Sequence, residues 1–207
     1  MDRVFTEEDW TVLDNPIVPA YPKSKTIAER AAWDWIAKEG GSMELAVVNP
    51  VGIWGPVVGK DASTSVELIL RMMNGQLPGI PNVGFGCVDV RDVADLHLMA
   101  MTDPKAAGQR FIAVSDEGFV WAKDIALKIK ARMGDRAKRV PTRVIPDFVL
   151  KIAAWFDSAV GLIVPELGKE KNTTNKKAKE MLGWRPRSAE DALVSNAESL
   201  YRFGMVK

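Results

Sequence analysis

Histidine and cysteine are nearly absent from this chain, which has 207 residues but only one of each type. The single histidine, His97, falls inside an apolar, helix-like stretch, so a metal centre or a histidine-based catalytic triad has little support. The single cysteine, Cys87, rules out an internal disulfide framework. One thiol without disulfides fits a reducing compartment, and we therefore expect a cytoplasmic protein.

A charge excess and a long apolar run are also lacking. The chain has 28 Lys and Arg against 27 Asp and Glu, so nothing draws it as a whole to nucleic acid or to a membrane. The acidic N-terminal segment has no apolar core of the kind that signal peptides need. The most apolar later segment, residues 148–164, contains Lys151 and Asp157 and fits an amphipathic helix and loop better than a membrane span. The composition predicts a globular protein whose partners include neither nucleic acid nor membrane.

The most informative motif is Tyr-Pro-Lys-Ser-Lys at residues 21–25. Tyr21 and Lys25 are four residues apart at the start of a stretch that favours a helix, so their side chains share one helical face. A neighbouring cation favours the phenolate form of a tyrosine. The pair therefore fits an acid/base unit for a carbonyl or an alcohol, although the same spacing also arises by chance in many helices.

A strand and a loop follow the motif. Residues 26–39 have the amphipathic pattern of a helix, which two glycines end. The apolar run at 43–48, closed by an Asn-Pro pair, predicts a buried parallel strand. Ligands of open α/β sheets bind beyond the carboxyl ends of the strands, which is where the Gly- and Pro-containing loop 51–56 lies.

Helices are also predicted elsewhere, with strands between them. Asp89 and Asp92 flank Arg91 at one helix start, where carboxylates cap amides and form ion pairs. The patterns predict strands over 87–90 and 109–114, and helices over 63–74, 91–102, 121–133, 146–159, 174–182 and 188–203.

In their order and spacing, four motifs resemble the extended short-chain dehydrogenase/reductases of the NAD-dependent epimerase/dehydratase superfamily. They are the helical Tyr-x-x-x-Lys, the strand ending in Val-Asn-Pro with Gly-Pro soon after, Cys-Val-Asp-Val-Arg-Asp-Val-Ala at 87–94, and Leu-Gly-Trp-Arg-Pro at 182–186. The resemblance covers nearly the whole chain and is greatest to the dihydroflavonol-reductase-like branch.

Two parts of the family pattern are missing. No Gly-x-x-Gly-x-x-Gly turn, which holds the cofactor pyrophosphate in the family, follows a strand in this sequence. The family's catalytic Ser or Thr lies on a strand upstream of the tyrosine, and Thr6 and Thr11 do not match it. We therefore expect the chain to be the C-terminal portion of a longer enzyme. Its incomplete sheet would leave a strand edge and an apolar face uncovered, which predicts self-association.

The resemblance implies an α/β fold: the C-terminal part of a Rossmann-like doubly wound parallel sheet, with a smaller α/β substrate-binding lobe. Residues 1–60 and 87–103 would form the cofactor side. Residues 61–86 and 104–207 would form the substrate side, with the substrate in the cleft between the two.

The resemblance also implies the site residues. Tyr21 would donate a proton to the developing alkoxide, while Lys25 would activate Tyr21 and hydrogen-bond the nicotinamide ribose. Pro50 and Val51 would meet the carboxamide end of the nicotinamide, and Asn49 would shape that turn. Trp54 would either line the substrate pocket or pack in the core.

The expected reaction is the NAD(P)H-dependent reduction of a small ketone or aldehyde, with NADP favoured over NAD. A sugar-nucleotide epimerase or dehydratase is an alternative, but it needs arginines to grip a diphosphate. The connector 79–87 has none, whereas Arg110 and Arg143 keep that alternative open. A truncated, non-catalytic fragment is the third interpretation.

Overall fold

The computed structural model describes residues 3–60, 63–161 and 163–206 and has an α/β architecture. Short 3₁₀ turns connect some of its elements. In chain order the helices and strands of the described residues are α1 (Ala20–Glu39), β1 (Val47–Pro50), β2 (Gly52–Trp54), α2 (Thr64–Met73), β3 (Gly84–Phe85), β4 (Cys87–Asp89), α3 (Val90–Thr102), β5 (Arg110–Ala113), β6 (Val120–Trp121), α4 (Ala122–Met133), α5 (Asp147–Ala153), α6 (Ser158–Gly161), α7 (Lys176–Leu182) and α8 (Ala189–Arg202).

The strands form three two-stranded pairs. Strand β1 runs parallel to β5, with Val47 opposite Arg110 and Pro50 opposite Ala113. Strand β2 runs parallel to β4, whereas β3 and β6 are antiparallel. Parallel strands connected through helices are the pattern of a doubly wound α/β fold, and the predicted fold class is confirmed.

Most helices lie within one or two residues of their predicted positions. Helix α1 contains the predicted segment 26–39 and ends at Gly40, as the glycine pair indicated. Helices α2, α3, α4, α7 and α8 also agree with the sequence patterns. Local periodicity and end signals are therefore sufficient to locate these helices.

Two predicted elements differ from the structure. The strand predicted over 43–48 begins only at Val47, and its residues are half-buried or exposed because β1 pairs with one strand among the described residues. The helix predicted over 146–159 is divided into α5 and α6. Between them the amides of Trp155 and Phe156 bond to carbonyls three residues back, so the helix tightens into a turn.

Two apolar clusters form the core. The larger joins α2, α4 and α8 through side chains such as Ile69, Ile129 and Leu193. The smaller lies under α3 and includes Phe111 of β5 and Trp184. The division of the chain at residue 104 stays a prediction, although β5, which that boundary assigns to the substrate side, pairs with β1. Residues 61 and 62, where the substrate side was predicted to begin, lie outside the described residues.

The motifs at 87–94 and 182–186 meet at Asp92. Its carboxylate accepts hydrogen bonds from the Arg187 amide, at 2.7 Å, and from the Arg187 guanidinium. Its backbone carbonyl accepts a bond from the Trp184 indole at 3.0 Å. Burial raises the pKa of the Asp92 carboxyl despite the Arg187 contacts.

Asp89 caps helix α3, as its position in the sequence indicated. Its carboxylate accepts the Arg91 amide at 2.9 Å and the Arg91 guanidinium at 2.7 and 2.8 Å. Burial alone would raise the pKa of Asp89, but the hydrogen bonds and charge of Arg91 outweigh burial and lower that pKa. Beside it, Cys87 is buried, and burial raises the pKa of its thiol.

The chain exposes a large surface for its size. Its accessible area is 12259 Å², whereas a compact monomer of 22.8 kDa exposes about 9,600 Å². Part of the excess lies on α1, where Thr26 is the one buried residue among those described. An apolar stripe at four-residue spacing, Ile27, Ala31 and Trp35, is exposed along this helix.

Membrane insertion through a helix finds no support in the described parts of the chain. None of the helices there combines the length and apolar character that crossing a bilayer requires.

The charge of Asp89 is expected to stabilise the fold in a pH-dependent way. Its folded-state pKa lies below the ordinary value of 3.8, so the stabilisation is present above pH 3.8 and is lost as the pH falls through the lowered pKa. Asp89→Asn keeps a capping oxygen but removes the charge. We expect it to lower the free energy of unfolding by about 1–3 kcal/mol at pH 7, and by progressively less below pH 4.

Denaturant unfolding of both proteins at a series of pH values measures this difference. Asp95→Asn, at an exposed position of the same helix, is the matched control and is expected to change little. A difference for Asp89→Asn that stays constant from pH 7 to pH 3 would contradict the role assigned to the charge.

Candidate active site

Helix α1 presents Tyr21 and Lys25 from its first two turns. The preceding residue, Pro19, is extended, and the helix begins at Ala20. Pro22 is accommodated because amides in the first turn have no partner within the helix. The motif thus forms the helix start that its spacing predicted.

Tyr21 and Lys25 lie together and are open to solvent. The Lys25 ammonium is 5.4 Å from the centre of the Tyr21 ring, a distance at which a cation and an aromatic face attract each other. The Tyr21 side chain is 71% exposed. Both polar groups are therefore accessible to a ligand.

A cavity of about 450 Å³ lies beside the pair. Its wall includes Tyr21, Lys25 and Asn49, together with Trp10 and Thr11 of the N-terminal segment. The structure thus brings three of the predicted site residues to one cavity, which borders the β1–β5 pair at Val47, Asn49 and Arg110. The threonine that matched no family motif, Thr11, lies in the same wall.

Two other predicted residues lie just beyond this wall. Pro50 is exposed at the end of β1, and the Val51 amide donates to the Ala113 carbonyl at 3.2 Å. That bond continues the β1–β5 pairing into the loop after β1. Pro50 and Val51 therefore follow Asn49 at the strand end but do not line the cavity itself.

Trp54 lies apart from the cavity around Tyr21. Its side chain is 3% exposed and packs in the larger apolar cluster, with its ring 6.4 Å from that of Phe85. Of the two roles left open by the sequence, the structure favours core packing. Its indole N–H has no hydrogen-bond partner among the described residues.

Glu29 is a residue near the cavity that the sequence motifs did not indicate. It lies four residues after Lys25, and its carboxylate accepts bonds from Arg110 Nε at 2.5 Å and Arg110 Nη2 at 3.2 Å. The Asn49 amide donates to it at 3.4 Å, and the Trp33 indole at 3.2 Å. Glu29 continues the four-residue spacing of Tyr21 and Lys25, and this repeat was the signal in the sequence that could have identified it.

Arg110 joins Glu29 to the N-terminal segment. Its guanidinium lies 3.7 Å from the centre of the Trp10 ring, and it also donates to the Glu7 carbonyl. The Glu7 carboxylate in turn accepts the Ile112 amide at 2.9 Å. Since these residues are about 80 to 100 positions apart, no local pattern predicts their contact.

No family model matches the chain. It is 31% identical over 218 residues to the NADPH-dependent methylglyoxal reductase GRE2 of Saccharomyces cerevisiae, covering 96% of this chain and 57% of that protein. It is 35% identical over 147 residues to the ketoreductase azaE of Aspergillus niger, covering 67% of this chain and 43% of that one.

A solved structure matches over nearly the whole chain. The yeast methylglyoxal/isovaleraldehyde reductase complexed with NADPH superposes with a TM-score of 0.70 at 27% identity, covering 97% of this chain and 58% of that structure. The chain therefore spans about half the length of the relatives that it matches.

Substitution of Trp54 is expected to affect stability strongly. Because the indole is buried, Trp54→Ala is expected to lower the free energy of unfolding by about 3–5 kcal/mol. Trp155→Ala is the matched control, since Trp155 is 83% exposed, and is expected to cost far less. Denaturant unfolding followed by circular dichroism measures both. Equal small losses in the two variants would contradict the core role of Trp54.

Proposed function

The chain belongs to the extended short-chain dehydrogenase/reductase family, and we propose that it forms the acid/base end of an NADPH-dependent reductase of small ketones or aldehydes. The observation that carries this proposal is the convergence of Tyr21, Lys25 and Asn49 on one open cavity between α1 and the β1–β5 pair. The dihydroflavonol-reductase-like motifs support this proposal, because they include Tyr21, Lys25 and Asn49.

The predicted residues in and beside the cavity have proposed roles. A reduced nicotinamide, when bound, supplies hydride to the carbonyl carbon of the substrate. The Tyr21 hydroxyl donates its proton to the carbonyl oxygen as negative charge develops there, so an alcohol leaves the site. The Lys25 ammonium stabilises the phenolate that remains and hydrogen-bonds the nicotinamide ribose. Asn49, held by Glu29, shapes the turn that meets the carboxamide end, with Pro50 and Val51 next to it.

The residues fit one end of the cofactor. Tyr21 and Lys25 are exposed polar groups beside a cavity, as the nicotinamide and its ribose require. The sequence contains no Gly-rich turn to hold the pyrophosphate, so our assignment is limited to the nicotinamide end. The NADPH named for the yeast relative supports NADP over NAD.

Location and partners follow from the chemistry of the surface. We place the protein in the cytoplasm because its one thiol is buried and forms no disulfide. We expect no nucleic acid partner because lysines of the lysine-rich segment 169–179 pair with carboxylates, Lys179 with Asp116 at 2.9 Å and Lys171 with Glu166 at 2.5 Å.

The epimerase alternative loses support in the structure. An epimerase of this superfamily would need arginines for a diphosphate, and Arg110 was one of two candidates. Arg110 is instead engaged by Glu29, Trp10 and the Glu7 carbonyl, and its side chain is 16% exposed. The non-catalytic alternative is decided by whether the chain binds NADPH.

Tyr21→Phe is expected to lower the turnover of methylglyoxal with NADPH by about 10²–10⁴-fold, because it removes the proton donor but leaves the ring. NADPH binding, followed by energy transfer from tryptophan to nicotinamide, is expected to persist. Tyr201→Phe is the matched control, since Tyr201 lies on α8 and is the second tyrosine of the chain. Retained turnover in Tyr21→Phe would contradict the role of Tyr21 as proton donor. Absence of saturable NADPH binding in the wild type would support the non-catalytic alternative.

We also propose that the chain associates with a second copy of itself. Strand β1 has one paired edge among the described residues, and the α1 stripe of Ile27, Ala31 and Trp35 is exposed. The excess of surface over that of a compact monomer is roughly 2,700 Å², compared with the roughly 800 Å² that each partner buries in a standard interface. A second copy that covers the stripe and the strand edge would remove apolar surface and unpaired backbone groups from water, which favours association.

Light scattering coupled to size-exclusion chromatography is expected to give a mass above that of one chain. Ile27→Glu is expected to shift the equilibrium toward the monomer, because it places a charge in the stripe. Val58→Glu, at a position that is 99% exposed outside α1, is the matched control and should leave the mass unchanged. A monodisperse wild-type monomer would contradict the proposed association.

A further inference from the structure

We propose that Glu29 is a positioning residue, which sets the rotation of α1 and therefore the place of Tyr21 and Lys25 at the site. It acts through its ion pair with Arg110, which stacks on Trp10. The inference rests on the proposed function, because it assigns Tyr21 and Lys25 their chemical roles.

Apolar packing does little to orient α1. Thr26 is the one buried residue of this helix among those described, and the apolar residues Ile27 and Trp35 are 56% and 47% exposed. Trp33 and Ile36 are only half-buried, and a helix whose apolar residues are not fully buried gains less from hydrophobic contact. Its orientation must then depend on directional polar contacts.

Through such contacts Glu29 joins three parts of the structure. Its carboxylate lies on α1, meets Arg110 at the start of β5 and meets Asn49 near the end of β1. Two guanidinium nitrogens bond to the two carboxylate oxygens, and this paired geometry restricts rotation about the contact. Glu29 therefore connects the helix to both strands of the β1–β5 pair.

The surroundings strengthen this ion pair. The side chains of Glu29 and Arg110 are 12% and 16% exposed, so water screens them less than it screens a surface pair. The Trp10 ring stacks on the Arg110 guanidinium, 3.7 Å from the ring centre. Arg110 is thus held on both sides, by Glu29 and by the N-terminal segment.

Glu29 acts at a distance from the chemistry. It is eight residues after Tyr21, which corresponds to about 12 Å along a helix. A rotation of about 10° displaces a group roughly 6 Å from the helix axis by about 1 Å. Misplacement of reacting groups by about 1 Å lowers rates by on the order of 10²-fold. A small rotation of α1 after loss of the Glu29 contacts would therefore lower the reaction rate strongly by displacing Tyr21.

A fluorine label on Tyr21 tests this positioning without any need for turnover. The chain has two tyrosines, so 3-fluorotyrosine incorporated in a Tyr201→Phe background reports on Tyr21 alone. We expect Glu29→Gln to move the fluorine resonance of Tyr21, because Tyr21 shifts relative to Trp10 and Thr11 in the cavity wall. Glu39→Gln, the same change at an exposed position of the same helix, should leave the resonance in place.

A graded variant covers the case in which Glu29→Gln does not fold. Arg110→Lys keeps the positive charge but loses the second bond and the planar stack on Trp10, so it is expected to move the same resonance by less. An unmoved Tyr21 resonance in folded Glu29→Gln overturns the proposal, and if that variant is unfolded, an unmoved resonance in Arg110→Lys overturns it.

Kinetics separate this inference from the proposed function. With NADPH and methylglyoxal, kcat is expected to fall at least tenfold in Glu29→Gln, while the KM for methylglyoxal changes less than threefold. A wild-type chain without turnover would refute the proposed function, whereas the fluorine resonance would still decide on the positioning. Wild-type turnover with an unchanged kcat in Glu29→Gln would overturn the positioning and leave the proposed function intact.

Discussion

The ion pair between Glu29 and Arg110 is the contact on which the site depends. It joins the helix that carries Tyr21 and Lys25 to a strand that follows 81 residues later in the chain. Both side chains are largely buried, and the guanidinium meets the carboxylate through two nitrogens. Because α1 buries little apolar surface, this polar contact replaces the hydrophobic packing that orients most helices in α/β proteins.

A second buried carboxylate organises the other half of the chain. Asp92 receives the Arg187 amide and guanidinium, while its carbonyl receives the Trp184 indole. Asp92 lies in the first turn of α3, which packs beside β1. The C-terminal motif is therefore connected to the strands of the site through α3. The Glu29–Arg110 and Asp92–Arg187 contacts are of the same kind, since in each a carboxylate on a helix binds an arginine from a distant segment.

The site and the uncovered surface share helix α1. One side of the helix carries Lys25 and Glu29 toward the cavity, while Ile27 and Trp35 remain exposed. A covering partner on the exposed side would change the burial of the helix without touching Glu29. The proposed catalytic geometry and the proposed association would therefore depend on different residues of one helix.

What the sequence by itself determined is local. Helix periodicity, glycine stops and the four-residue spacing of Tyr21 and Lys25 depend only on neighbouring residues, so α1 and its motif could be predicted. The family resemblance could be recognised for the same reason, because its motifs are short.

Only the tertiary structure decided the rest. It assigned Trp54 to the core, left β1 half-buried and brought Arg110 to Glu29. Each of these outcomes depends on which distant segments become neighbours, and burial and ion pairing are properties of that assembled environment. No pattern within a few residues of the chain encodes them.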